Sequence, residues 1–160
     1  MPFVLSARRD DGFEVSDDPA RLDVELVHHW LSTDAYWATG RSLELVRAAI
    51  AGSWPVGVYG PTGRQVAFAR VVTDGAVFAY LCDVYVDRRY RGLGLGRWLV
   101  RCLRDDLAFR GLQRFLLVTN DAHGVYAPLG FAVADPARWM ECHLGSVPVS
   151  SDTGKDRTGR

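Results

Sequence analysis

The most informative part of the sequence is Val84-Tyr85-Val86-Asp87-Arg88-Arg89-Tyr90-Arg91-Gly92-Leu93-Gly94-Leu95-Gly96-Arg97, which is rich in glycine. An apolar strand leads into a turn with three alternating glycines, and the turn leads into the clearest amphipathic helix of the chain. Glycines allow positive φ and let backbone N–H groups approach a ligand without interference from a Cβ atom. A helix start adds unpaired N–H donors and a partial positive charge. The stretch therefore predicts a phosphate or pyrophosphate site, with Arg91 and Arg97 beside it.

Two common phosphate-binding loops do not match this stretch. A Walker A loop needs Lys followed by Ser or Thr, and the absence of both disfavours nucleotide hydrolysis. A dinucleotide-binding fingerprint needs G-x-G-x-x-G at the start of a domain, whereas Arg97 occupies the last position and several predicted strands precede the loop. Binding of NAD or another nucleotide therefore stays a secondary interpretation.

Two motifs resemble those of a known family. Arg91-Gly92-Leu93-Gly94-Leu95-Gly96 resembles the [RQ]-x-x-G-x-[GA] signature of the GCN5-related N-acetyltransferases (GNAT), and residues 122–131 resemble the family's A-x-x-x-Y-x-x-x-G-F ending. The predicted order of elements is also similar: a strand, two helices, three strands, the signature, a helix, a strand, a helix and two strands. The resemblance covers residues 10–143 and identifies a small, single-domain, bacterial-type member.

The resemblance and the local patterns together predict the architecture. We expect an α/β (mixed α+β) GNAT fold at residues 1–145, followed by a polar, flexible tail at 146–160. Its central mixed sheet is expected to be mostly antiparallel, with about six to seven strands that splay at a parallel pair and about four flanking helices. Asp18-Pro19 is expected to open the first helix and Ser42 to cap the second. Strands are expected at 13–15, 54–59, 65–73, 76–86, 114–119, 131–133 and 139–143, and Trp139 and Met140 are expected in the core.

The family resemblance implies acetyl-CoA as the cosubstrate. Backbone groups of residues 84–86 would bind the pantetheine, and the 91–97 loop would hold the pyrophosphate. Tyr126 matches the family tyrosine that protonates the departing thiolate, a general-acid task that suits a phenol. Many members have Asn seven residues before this Tyr, where the chain has Thr119, with Asn120 one place later. The cofactor-binding candidates are therefore Val84, Tyr85, Val86, Arg91, Gly92, Leu93, Gly94, Leu95, Gly96, Arg97, Thr119, Asn120 and Tyr126.

Two residues of the predicted central strand are candidates for deprotonating the acceptor amine. Asp83 is expected to be buried, and burial would raise its pKa into a useful range, so it is a candidate base or amine anchor. Tyr80 is the other polar candidate, and the two have opposite parity, so an unbulged strand shows only one of them to the cleft. A chain of water molecules, as in other family members, would make neither essential.

The acceptor is expected to be a small primary amine or an amino-acid-like molecule. Tyr36, Trp37 and Arg41 lie between the first two predicted helices, a region that borders the acceptor site in the family. Tyr36, Trp37, Tyr80 and Tyr85 could wall a compact site. Two alternatives stay open: acetylation of a protein lysine or N-terminus, and an acyl-CoA-binding sensor without turnover.

Composition and charge exclude several classes of function. The 160 residues include 19 Lys and Arg and 19 Asp and Glu, so no net charge attracts nucleic acid or an anionic membrane. No apolar run approaches the ~20 residues of a membrane span, and no signal peptide is predicted. The three Cys and four His lack metal-ligand or disulfide spacing. We expect a cytoplasmic protein without a metal, a nucleic-acid partner or membrane contact, and the assembly we expect, if any, is a homodimer.

Overall fold

A six-stranded sheet forms the centre of the chain in a computed structural model that describes residues 4–145. The strands lie side by side in sequence order. Every neighbouring pair is antiparallel except the last, which is parallel. The strands are β1 (Ser6–Arg8), β2 (Glu14–Ser16), β3 (Trp54–Tyr59), β4 (Gln65–Thr73), β5 (Phe78–Val86) and β6 (Arg114–Leu116).

The α-helices of the described part are α1 (Val24–Thr33), α2 (Leu43–Ala51), α3 (Leu95–Phe109) and α4 (His123–Tyr126). Ser42 caps α2 as predicted, because its hydroxyl accepts the Leu45 N–H. The prediction that Asp18-Pro19 opens the first helix is wrong. Those residues start a single 3₁₀ turn, and α1 begins one turn later, where the Asp23 carboxylate accepts the Leu26 N–H.

The helices cover both faces of the sheet. Ala67 and Ala69 of β4 belong to an apolar cluster that includes α3, whereas Phe68 between them belongs to a second cluster with α1 and α2. Because successive strand residues point to opposite faces, α3 lies on one side of the sheet and the α1–α2 pair on the other. The mixed α/β architecture that the sequence predicts is therefore confirmed.

The parallel pairing of β5 with β6 is short, and beyond it the sheet is open between the two strands. Only three residue pairs join β5 to β6, from Phe78 opposite Arg114 to Tyr80 opposite Leu116. Beyond Tyr80, β5 continues for six residues, to Val86, while the chain after Leu116 leaves the sheet. The two strands therefore diverge beyond this point, as the predicted splay requires.

The described residues contain a different set of terminal strands from the predicted set. The predicted strands at 131–133 and 139–143 do not form, and β1 was not predicted. Val133 is 83% exposed and Met140 98% exposed, so pairing this segment in the sheet would gain little from side-chain burial. Trp139 and Met140 are accordingly not core residues. The predicted tail at 146–160 lies outside the described residues.

No helix within residues 4–145 combines the length and the apolar character that a bilayer crossing requires.

Candidate active site

A cleft of about 490 Å³ lies where β5 and the chain after β6 diverge. Four parts of the chain meet in it: the α1–α2 loop, β4, β5 and the segment from β6 to α4. The lining residues are Tyr36, Trp37, Arg41, Arg70, Tyr80, Leu81, Cys82, Asp83, Val84, Leu117, Val118, Thr119, Asn120, Asp121, Ala122 and Tyr126. Most of the predicted catalytic and acceptor residues are therefore brought together here.

A bulge in β5 places Tyr80 and Asp83 in the same cleft. Arg70 pairs with Cys82 and Phe68 pairs with Tyr85, so two residues of β5 stand opposite one residue of β4. Asp83, one of those two, has a φ of +52° and is the only non-glycine residue with positive φ among the described residues. The bulge shifts the alternation of the side chains, so both Tyr80 and Asp83 reach the cleft. The expectation that only one of them does so applies to a strand without a bulge.

Asp83 lies at the centre of a polar network in the cleft. Its Oδ1 accepts from Trp37 Nε1 at 3.1 Å and from Arg41 Nη1 at 3.0 Å. Its Oδ2 accepts from the same Arg41 nitrogen at 3.1 Å and from Arg70 Nε at 2.6 Å. The Asp83 side chain is only 4% exposed. All four acceptor positions of this buried carboxylate are therefore occupied by protein donors.

The expectation that burial raises the pKa of Asp83 is wrong. Burial does favour the neutral acid, but the hydrogen bond from Arg70 and the positive charges of Arg70 and Arg41 outweigh it, so the pKa of Asp83 is lowered. A carboxylate with a lowered pKa is a weaker base. The assignment of Asp83 as the base stays a prediction, and the arginines stand against it.

Tyr126 faces the same cleft from α4. Its ring packs edge-on against Phe131, with the centroids 5.8 Å apart. Burial, helped by the neighbouring Tyr36 and Asp121, raises the pKa of Tyr126. The hydroxyl therefore keeps its proton through the neutral range, as a proton donor must.

The loop before Tyr126 contains Thr119, at the position of the family asparagine, and Asn120, one place later. The Thr119 hydroxyl accepts the Ala122 N–H at 3.0 Å and so fixes the turn that leads into α4. Thr119 and Asn120 both line the cleft. Tyr126 and Val84 line the same cleft, and the cofactor-binding role of Thr119 and Asn120 stays a prediction.

The glycine loop presents open backbone at the start of α3. Gly92 and Gly94 have φ of +83° and +72°, and a Cβ on either would meet no atom within 4 Å. Gly94 is the residue that precedes α3, so the free N–H groups of the helix begin there. Gly96 instead packs closely, because its Cβ would lie 3.3 Å from Val86 Cγ2.

The side chains of the predicted loop residues divide between core and surface. Leu95 is buried in the core and can offer only its backbone, while Leu93 is exposed and its carbonyl accepts from Arg9 Nη1 at 3.0 Å. Arg97 lies with Arg9 and Arg101 around a separate hollow of about 360 Å³ next to Gly94. The loop is therefore bordered by positive charge on its α3 side.

Arg91 is fixed by contacts that the sequence does not indicate. Its Nε donates to the Val86 carbonyl and its Nη2 to Asp34 Oδ2, each at 3.0 Å. Asp34 follows α1 and also holds Arg88 and the Tyr85 hydroxyl. This carboxylate therefore ties the end of α1 to the strand and loop of the signature.

The side chain of Tyr85 does not wall the cleft, contrary to expectation. It stacks on Trp30 with a centroid distance of 5.2 Å, on the face that packs against α1. Only its backbone remains available for the role predicted for residues 84–86. Tyr36 and Trp37 do line the cleft, and their rings are perpendicular with centroids 5.1 Å apart.

Arg70 and Asp34 are the charged residues with contacts to predicted site residues that sequence analysis missed. The one available signal for Arg70 was a single cation inside the otherwise apolar stretch Val66-Ala67-Phe68-Ala69-Arg70-Val71-Val72. Nothing in the sequence indicated a role for Asp34, because an acidic residue after a helix is common in proteins. Across residues 4–145, no group of three His, Cys, Asp or Glu side chains could hold a metal ion.

Comparisons with known proteins agree with this geometry. The model of the acetyltransferase (GNAT) family matches residues 24–131. A protein of Gibberella zeae described as an acetyltransferase is 34% identical over 126 residues, which are 67% of this chain and 71% of the relative. A rice protein named serotonin N-acetyltransferase 2, chloroplastic, is 43% identical over 75 residues, which are 46% of this chain but only 37% of the rice protein.

A crystal structure from Xanthomonas campestris pv. campestris, described as an acetyltransferase of the GNAT family, extends the likeness to the fold. It is 42% identical with a TM-score of 0.78, and the match covers 86% of this chain and 96% of that one.

Proposed function

Because this chain belongs to the acetyltransferase (GNAT) family and has its fold, we propose that it transfers the acetyl group of acetyl-CoA to the amine of a small molecule. The amine attacks the thioester directly while both substrates are bound. One observation carries the proposal: Tyr126, Val84 and the bulged Asp83 line one cleft, and the open glycine loop follows the same strand, β5, in the chain.

The residues at this end of the sheet fit acetyl-CoA. Gly92 and Gly94 leave open space above free helix N–H groups, where a pyrophosphate would bind. The backbone of residues 84–86 lies along the diverging edge of β5, where the amide groups of the pantetheine would pair with it. Acetyl-CoA supplies an activated thioester when bound. The protein must then bind it, polarise the carbonyl and protonate the thiolate.

Two groups of the chain meet the last two requirements. The backbone N–H near Val84, at the bulge, polarises the carbonyl oxygen in the manner of an oxyanion hole. The Tyr126 hydroxyl, whose pKa is raised by burial, gives its proton to the departing sulfur. Cys82 also lines the cleft, but burial raises the pKa of its thiol, which makes it a poor nucleophile.

The acceptor amine reaches its neutral form through solvent. Burial raises the pKa of Tyr80 and the arginines lower that of Asp83, so neither is matched to proton removal near neutral pH. Arg41 and Arg70 instead disfavour a nearby ammonium and so lower the pKa of the bound amine. If Asp83 were the base, Asp83→Asn would move the acidic limb of the pH–rate profile, whereas we expect the residual activity to keep it.

A small acceptor suits the space between the aromatic pair and the polar network. Tyr36 and Trp37 offer apolar walls, and the rice relative carries the name of an enzyme that acts on serotonin, a small amine. The free cysteines of the described part suit a reducing compartment, and we place the protein in the cytoplasm, although the rice relative is named chloroplastic.

We also propose a homodimer. The outer edge of β6 has no neighbouring strand in the described sheet, and such an edge can pair with a strand of a second copy of the chain. Sedimentation at several concentrations tests this assembly, and a monomer at all of them would contradict it.

Release of free thiol from acetyl-CoA, measured with a panel of several hundred amines, tests the proposed function. Amine-dependent release and a product heavier by one acetyl group are expected. Acetyl-CoA binding without release for any small amine or peptide would indicate a sensor instead. Acetylation of peptides alone would move the acceptor to a protein. With the best small acceptor, Trp37→Ala should raise the acceptor KM while acetyl-CoA affinity is retained.

A further inference from the structure

The buried carboxylate of Asp83 cannot anchor the acceptor as an ammonium. Its two oxygens already accept four contacts, from Trp37, Arg41 and Arg70, all within 3.1 Å. A carboxylate has about four lone-pair positions, so an ammonium would have to displace a protein donor. The amine of the acceptor therefore has no free partner in this network.

The network instead carries a surplus of positive charge. Two guanidinium groups surround one carboxylate, so these three side chains together carry one net positive charge. Glu141, which is exposed, acts electrostatically on Tyr80 and bonds to neither arginine. The other acid that lines the cleft, Asp121, is exposed and lies on the β6 side, away from β4 and Arg70. An ammonium is disfavoured beside such a surplus, and an anion is attracted to it.

Both arginines also keep unused donors that belong to the cleft. Arg41 donates to Asp83 through Nη1 alone, and Arg70 donates through Nε alone. Within residues 4–145, no other acceptor takes a hydrogen bond from either guanidinium. The Arg41 side chain is 27% exposed and that of Arg70 14% exposed, and both line the cleft. Fixed, partly buried guanidinium N–H groups suit the oxygens of a carboxylate or phosphate.

We propose that the acceptor is an amine that also carries an anionic group, a carboxylate or a phosphate, which Arg41 and Arg70 bind. This inference rests on the proposed function and specifies its substrate class. Asp83 is then a positioning residue, because it holds the two guanidinium groups in place. The anion is bound at the β4 side of the cleft, which leaves the amine free to face Val84 and Tyr126.

Matched pairs of acceptors test this inference on the wild-type protein. Tyrosine is compared with tyramine, and O-phosphoethanolamine with ethanolamine, by kcat/KM at saturating acetyl-CoA. We expect the anionic member of at least one pair to be preferred by about 10- to 100-fold, the range of a charge-assisted hydrogen bond. The pair that shows the preference identifies the anion. The preference should shrink at high salt.

Variants connect the preference to the arginines. Arg41→Gln should bring the ratio within a pair close to one while acetyl-CoA affinity changes little, and Arg41→Lys should keep part of the ratio. Arg47→Gln is the control, because Arg47 is an exposed residue of α2 that pairs with Glu25. Its ratio should equal that of the wild type.

The outcomes separate this inference from the proposed function. Equal or better turnover of the member without an anionic group in both pairs, or an unchanged ratio in Arg41→Gln, would overturn the inference and leave amine acetylation standing. Absence of turnover with all amines would overturn the proposed function. Calorimetric binding of N-acetyltyrosine and N-acetyltyramine measures the preference without catalysis, and equal affinities would also reject the inference.

Discussion

Arg70 of β4 lies opposite Cys82 of β5 in the sheet, yet its Nε bonds to Oδ2 of the next residue, Asp83, at 2.6 Å. The bulge makes this contact possible, because Asp83, with its φ of +52°, stands on the cleft side beside Cys82. In a regular strand the carboxylate would point to the α3 face. Backbone geometry at one residue therefore decides which charges reach the cleft.

Replacing Asp83 by Asn should destabilise the protein by about 3 kcal/mol at pH 7, since two partly buried guanidinium groups lose their counter-ion. Urea unfolding measures the change. Asp121→Asn is the control, because this exposed carboxylate should contribute within about 0.5 kcal/mol. Equal stability of wild type and Asp83→Asn would show that the network is unimportant to the fold.

The ion pair between Asp83 and Arg70 also predicts how the free energy of unfolding depends on pH. The pKa of Asp83 is lowered in the folded chain from an ordinary value of 3.8, so its stabilisation is complete above that value and is lost as the pH falls through the folded pKa. Wild-type unfolding free energy should therefore fall more steeply below about pH 4 than that of Asp83→Asn. Parallel curves would contradict the lowered pKa.

Gly94→Val should abolish acetyl-CoA binding, because the new side chain would fill the open space where the pyrophosphate is expected. Gly75→Val is a matched control, since Gly75 has the same φ of +72° and also no atom within 4 Å of its Cβ, but lies in the β4–β5 turn. Both variants should lose about 1–2 kcal/mol of stability from the left-handed backbone. Calorimetry should show lost binding only for Gly94→Val. Equal affinities would reject the loop assignment.

Arg91→Ala should weaken acetyl-CoA binding several-fold at low salt and less at high salt, because part of its contribution is electrostatic. Arg88→Ala is the comparison, since Arg88 also pairs with Asp34 but is four residues from Gly92, whereas Arg91 is adjacent to it. A similar loss in both variants would mean that Asp34, rather than direct contact with the ligand, carries the effect.

Two buried tyrosines should respond oppositely to loss of the hydroxyl. The Tyr59 hydroxyl is buried without a hydrogen-bond partner among the described residues, and burial raises the pKa of Tyr59 to about 12. The Tyr85 hydroxyl donates to Asp34 at 2.5 Å. Tyr59→Phe should therefore be neutral or stabilising, while Tyr85→Phe should cost about 1–2 kcal/mol. Thermal unfolding measures both, and a large loss in Tyr59→Phe would reveal an unseen partner.

The features that the sequence predicts well are local. The glycine loop, the Ser42 cap and the apolar stripe of α3 each depend on residues within a few positions, so their patterns are readable without the fold. The position of Tyr126 in the cleft could be predicted because Tyr126 belongs to a motif with fixed spacing.

The features that the sequence does not predict depend on distant partners. The contact of Asp83 with Arg70 requires a β-bulge, and no residue type near Asp83 in the sequence indicates one. The contact of Asp34 with Arg91 joins positions 57 residues apart. The apolar residues near Val133 and Met140 are typical of strands. Such a segment forms a strand only where a neighbouring strand can pair with it and a core can bury its side chains.

Steady-state release of CoA thiol by wild type and Tyr126→Phe, with the best amine acceptor, measures whether Tyr126 takes part in acetyl transfer. Because we propose Tyr126 as the proton donor to the thiolate, the variant should lose about ten- to a thousandfold in kcat while acetyl-CoA affinity is unchanged. Tyr90→Phe, outside the cleft lining, is the control and should retain wild-type kcat. Equal kcat for wild type and Tyr126→Phe would contradict the assignment and reduce Tyr126 to a packing residue.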